Sequence, residues 1–213
     1  MTEIVFILDR SGSMAGLEKD TIGGFNAMLE KQKQEPGEVL VSTVLFDHQS
    51  EVIHDRVPLG QVSKMTEKEY FVRGSTALLD ALGGAVHHIG NVHKYARAED
   101  RPQKTLFVIT TDGMENASRQ YTYEKVQAMI RQRREEYGWE FIFLGANMDA
   151  VEEAKRFGIG PEGAVDYLAD KAGTALSYQA IGNVIKAVRR GAPVCAESLG
   201  SVREDFKRRN KKR

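Results

Sequence analysis

The chain has 213 residues and a mass of 23.8 kDa, enough for one α/β domain and short of the length at which chains usually divide. Hydrophobic residues make up 41% and charged residues 28%, which excludes a wholly disordered chain. Lys plus Arg and Asp plus Glu number 30 each, so the chain is not a generally basic nucleic-acid binder. The sum hides a split. Residues 206–213, FKRRNKKR, carry six basic side chains and no acid, which leaves 24 basic and 30 acidic residues, a net of −6, in the first 205.

The apolar run 4–8 reads as a strand buried on both faces. Residues 17–33 place Leu17, Ile22, Phe25, Met28 and Leu29 near helical spacing, and Glu35-Pro36-Gly37 stops that helix. Residues 39–46 are rich in β-branched side chains and read as a second strand. Only about four residues separate them from the run 51–57. A parallel crossover needs about a dozen, so the third strand is expected to be an antiparallel edge. Residues 58–75 read as irregular, with room for a short helix. A long helix follows over 76–95, with Leu78, Leu79, Leu82, Val86 and Ile89 on one side. The rest alternates: strand 105–110, helix 122–137, strand 140–144, short helix 149–157, strand 164–168 and helix 174–190. Such alternation predicts an α/β fold with a doubly wound, mostly parallel sheet, one antiparallel edge strand and helices on both faces. We expect one domain over 1–190, then a C-terminal extension, 191–213, that ends in the basic tail. A run of Lys and Arg is usually solvated and disordered, and as a functional element it would be an arm for nucleic acid or another polyanion.

The single cysteine, Cys195, excludes an intrachain disulfide and a Cys-based zinc site. A cytoplasmic location fits that composition. The opening MTEIVFILDR has no signal-peptide pattern, and no stretch approaches the ~18 apolar residues of a membrane span. His87, His88 and His93 do not share a helical face in the way metal-binding pairs do. The literal GxGxxG at 158–163 precedes a strand instead of a helix, so it is not a dinucleotide loop.

Ligands of open α/β sheets bind beyond the carboxyl ends of the strands, where the strand order reverses. That reversal is expected between the first strand and strand 105–110. Asp9 follows the first and Asp112 the other, so both carboxylates overlook one crevice. Asp9-Arg10-Ser11-Gly12-Ser13 can turn an Asp and two hydroxyls toward one point, and Thr76 can add a third hydroxyl. An all-oxygen set suits a hard divalent cation: Mg²⁺ first, then Mn²⁺ or Ca²⁺. It leaves a coordination position for an outside oxygen. The same residues also suit ordinary turns and caps, since Asp and Ser favour both.

The motifs FILDRSGSM, GSTALLDAL and VITTDGMEN, in that order, resemble the von Willebrand factor type A (vWA) domain. That family's metal-ion-dependent adhesion site is written Asp-x-Ser-x-Ser, then Thr, then Asp. The matching residues are Asp9, Ser11, Ser13, Thr76 and Asp112, and the resemblance covers about residues 2–190. The segments FIFLGANMDA and ADKAGT look like bacterial stand-alone members, some of them from tellurium-resistance or phage-associated gene clusters. The resemblance implies a Rossmann-like sheet, bound Mg²⁺, and a protein partner that presents an Asp or Glu to the metal. It also makes helix 174–190 the candidate moving element. Arg10, Ser75 and Gly113 are candidates for the ligand rim, and Glu115 and Asn116, on the loop of Asp112, are candidates for either that rim or a cap. Arg10 fills a slot where many members carry a small or uncharged residue, which would set a cation beside the metal. The expected function is therefore a binding module and not an enzyme. The alternatives are a metal-dependent phosphoester hydrolase and a scaffold whose basic tail binds nucleic acid.

Overall fold

A computed structural model describes residues 1–211. Six strands form one sheet in the order β3-β2-β1-β4-β5-β6. They are β1 (Thr2–Asp9), β2 (Val39–Phe46), β3 (Ser50–Pro58), β4 (Lys104–Thr111), β5 (Glu140–Gly145) and β6 (Ala164–Asp166). All pairs are parallel except β2–β3, which is antiparallel at the edge, as the three-residue gap requires. The connecting helices are α1 (Glu18–Lys33), α2 (Leu78–Tyr95), α3 (Tyr123–Tyr137), α4 (Ala150–Arg156) and α5 (Lys171–Arg189). A sixth, α6 (Gly200–Asn210), closes the described chain.

The buried apolar run of β1 divides by strand alternation. Ile4, Phe6 and Leu8 face Phe25 of α1 and Ile181 and Ile185 of α5. Val5 and Ile7 face Leu78, Leu82 and Val86 of α2 and Val126 and Ile130 of α3. Each face of the sheet therefore has its own core, the doubly wound arrangement. Gly24 allows α1 and α5 to approach, because a Cβ there would lie 2.4 Å from the Tyr178 ring. Among the described residues, no helix is long and apolar enough to cross a membrane.

Most boundaries fall within one or two residues of expectation, and three of the shifts have a clear local reason. α5 begins at Lys171, three residues early, because Asp170 caps it by accepting from Gly173 N at 2.8 Å. α2 begins at Leu78, because Thr76 is held in a loop by Asn116. β6 ends at Asp166, after which Tyr167 and Leu168 bury their side chains in a turn toward Asp170.

The extension ends in a helix, α6, through its described residues, although Lys207, Arg208, Asn210 and Lys211 stay exposed. Leu199 and Val202 enter the α1/α5 core, 0% and 2% exposed. Arg203 donates to the carbonyls of Ala196 and Ala164 at 2.6 and 3.1 Å. Arg209 donates to Asp170 at 2.8 Å, at the head of α5. Where disorder was expected the described residues are helical, because α6 is anchored by the two apolar side chains ahead of the basic run and by Asp170, which holds Arg209. Residues 212–213 of that run lie outside the described residues.

Candidate functional site

Asp9 and Asp112 leave adjacent parallel strands, β1 and β4, at the point where the sheet order reverses. Asp9 is pinned on both oxygens. Its Oδ1 accepts from Ser11 N and its Oδ2 from the Thr111 hydroxyl, each at 2.6 Å. The Tyr70 hydroxyl donates to the Asp9 carbonyl at 2.5 Å. Three other hydroxyls gather beside it. Ser11 Oγ lies 3.1 Å from Ser13 Oγ and 3.0 Å from Thr76 Oγ1. They converge on Gly113, where a Cβ would come within 2.9 Å of Ser13 Oγ and 3.0 Å of Thr76 Oγ1. The site thus needs glycine at 113 to leave room for the hydroxyls.

Asp112 is buried, and its Oδ1 has no hydrogen-bond partner. A partnerless buried carboxylate oxygen is rare, because it forfeits its hydration without replacement. Burial pushes the Asp112 carboxyl up to about 6, and the nearby Asp9 carboxylate adds to the rise. The facing Ser13 hydroxyl and the Asn147 amide oppose it. Burial also raises Asp9, against the hydrogen bonds from Ser11 and Thr111. Two buried carboxylates and three hydroxyls, one oxygen partnerless, fit a hard cation by chemistry and arrangement. Among the described residues, no group of three or more His, Cys, Asp and Glu side chains is placed to hold a metal. Any cation here therefore depends on the hydroxyls as well as the two carboxylates.

No protein-family model matches the chain, and no curated protein matches it in sequence. Solved structures match its shape. The minor pilin PilB from Streptococcus sanguinis is 12% identical, with a TM-score of 0.59 over 89% of this chain and 62% of the pilin. The von Willebrand factor type A protein from Catenulispora acidiphila is 15% identical, with a TM-score of 0.57 over 93% of this chain and 42% of its own. Proximal thread matrix protein 1 from the mussel byssus, with a zinc-occupied MIDAS motif, is 14% identical, with a TM-score of 0.58 over 86% and 45%. The chain has a vWA-like fold. It spans less than two thirds of each of these proteins.

Within this vWA-like frame the expected rim divides. Ser75 is exposed beside Thr76, and Gly113 backs the hydroxyls. Arg10 is not at the rim. Its side chain is 0% exposed and turns toward β2 and β3, where Nε meets Asp47 at 2.9 Å and Nη1 meets Glu51 at 2.7 Å. A buried guanidinium needs carboxylate partners, and Asp47, just after β2, and Glu51, in β3, supply them. Burial would raise the Asp47 carboxyl, but Arg73, the Gln49 amide and Arg10 hold it below its ordinary value. Glu115 and Asn116 act as caps. Glu115 accepts from Leu79 N at 2.8 Å, and Asn116 Oδ1 accepts from Thr76 N at 2.9 Å.

Asn147 joins the site unforeseen. It follows β5, donates to Asp112 Oδ2 at 3.3 Å, and holds a left-handed backbone, φ 55°. Asn is among the few side chains that tolerate that conformation. The dipeptide Asn147-Met148 carried no turn signal, and its approach to Asp112 depends on β4–β5 pairing.

Proposed function

We propose that the chain is a metal-dependent protein-binding module. Asp9, Ser11, Ser13, Thr76 and Asp112 would hold Mg²⁺, with Mn²⁺ or Ca²⁺ as substitutes. The partnerless Asp112 Oδ1, together with three hydroxyls that converge on the adjacent Gly113, carries this reading. A bound Mg²⁺ would supply a Lewis-acid position for a carboxylate oxygen from a partner's Asp or Glu. Asp9 and Asp112 bring the negative charge that balances the cation. Ser11, Ser13 and Thr76 bring neutral oxygens, so charge remains for an acidic ligand. Met114, next to Gly113, is 58% exposed and suits a protein surface.

Binding without turnover is favoured by how the hydroxyls are used. They bond to each other, and no histidine among the described residues hydrogen-bonds to Ser11, Ser13 or Thr76. A nucleophile needs such a base and a group to orient it. The byssus structure, with zinc in a MIDAS motif, supports the metal reading by analogy of fold.

Calorimetric titration with MgCl₂ tests the site. We expect saturable binding by the wild type and none by Asp9→Ala. Capture of partners from a cell extract should then be abolished by a chelator and by Asp9→Ala alike. Chelator-insensitive capture by that variant would defeat the proposal.

A further inference from the structure

The loop 112–122 leads from β4 to α3 and has Asp112 at its root. The segment that carries Thr76 leads into α2. Two carboxylates, one on each, are exchanged between them. Glu115, on the loop, reaches the head of α2: Oε2 accepts from Leu79 N at 2.8 Å and from the Ser118 hydroxyl at 2.8 Å. Its Oε1 accepts from Ala117 N and Ser118 N at 2.9 and 2.8 Å. Asp80, in the first turn of α2, reaches the loop: Oδ2 accepts from Arg119 N at 2.8 Å, and Oδ1 from Gln120 N and Tyr121 N at 2.9 Å. Ser118 Oγ closes the figure by accepting from Asp80 N at 3.0 Å. Asn116 then grips Thr76, whose carbonyl accepts from Asn116 N and Ala117 N at 3.0 and 3.2 Å.

We propose that Asp80 and Glu115 are positioning residues that fix the span between the Thr76 and Asp112 arms and thereby make the site select a small cation. The proposal rests on the metal-site reading given above. Neither carboxylate is available as a ligand, because both are occupied by N–H and O–H donors. Charge-assisted bonds of this kind hold geometry more firmly than neutral ones. The two arms consequently move as one piece. Mg²⁺ requires oxygens near 2.0–2.1 Å in almost ideal octahedral array, whereas Ca²⁺ accepts about 2.3–2.6 Å and flexible geometry. A clasped site resists widening for the larger ion and so binds it less well, whereas an unclasped one yields to it.

The test is calorimetric titration of the full chain with MgCl₂ and with CaCl₂, for wild type, Asp80→Asn, Asp80→Ala and Glu115→Gln. Thermal melts accompany each. Support for an orienting contact is an affinity loss of about tenfold or more for Mg²⁺. Ca²⁺ affinity should fall by less than about threefold, so the Mg²⁺/Ca²⁺ ratio narrows. Equal losses for both ions would mean a merely structural contact and overturn the proposal, as would unchanged affinities. Should Asp80→Ala not fold, Asp80→Asn keeps one acceptor oxygen and supplies the ratio. A wild type that binds neither ion overturns the metal-site reading first, and the clasp with it.

Discussion

Gly113 shows how a single residue governs the crevice. A methyl group added there would meet two hydroxyl oxygens at 2.9 and 3.0 Å, the first closer than Cβ atoms come and the second tighter than most of their contacts. We expect Gly113→Ala to keep the fold and to lose about tenfold or more in Mg²⁺ affinity, as displaced metal-site groups commonly do. Calorimetry beside circular dichroism checks both halves. Asp112 gives a second prediction. In the metal-free chain burial raises its carboxyl from 3.8 to about 6, so the folded form holds a proton that the unfolded form has released between those values. Its contribution to stability is therefore fully present below about pH 4 and is lost as pH rises through about 6. A cation replaces that proton once the carboxylate is ionised. Saturating MgCl₂ should raise Tm more at about pH 7.5 than at about pH 5, and scanning calorimetry at the two values decides it. Equal shifts would detach the metal from Asp112.

The helices differ in how much of themselves they display in sequence. α2 carries Leu78, Leu82, Val86 and Ile89 at helical spacing and is readable at once. α6 is not: most of its eleven residues, GSVREDFKRRN, are polar or charged, and Val202 alone is buried within it. Its stability comes from docking, with Leu199 just ahead of it and Arg203 and Arg209 bonded to distant chain. Leu199→Ala should cost about 2–5 kcal/mol, the range for a buried leucine, and urea denaturation measures it. A loss near zero would mean that the extension adds nothing to the core. The site was legible where it is local. Asp9, Ser11 and Ser13 lie within five residues, and Thr76 and Asp112 sit beside recognisable element ends. The environment of Arg10 was not legible, because Asp47 is 37 residues away and its side chain meets Arg10 only once β1 and β2 pair. Asn147 escaped for the same reason.

On the scale of the whole molecule, the sheet order puts every candidate ligand at one end. The short gap before β3 and the long crossovers elsewhere predicted which pairs are parallel, whereas the order itself rested on strands two and three lying to one side of the first, as they do. The charge split looks different once folded. Arg209, within the basic run, is bonded to Asp170, so part of the basic excess joins Arg203 in fastening α6. That attachment also sets the direction in which α6 finishes. Arg209 sits at the head of α5, on the same end of the sheet as the crevice, whereas the carbonyl of Met1 is engaged by Gln103 at the opposite end. A bead or sensor surface coupled through Met1 would leave the crevice facing the solution. Coupling beyond Asn210 would bring the solid support beside it and shade it from large ligands, so the choice of tether decides whether an immobilised assay can see a partner at all.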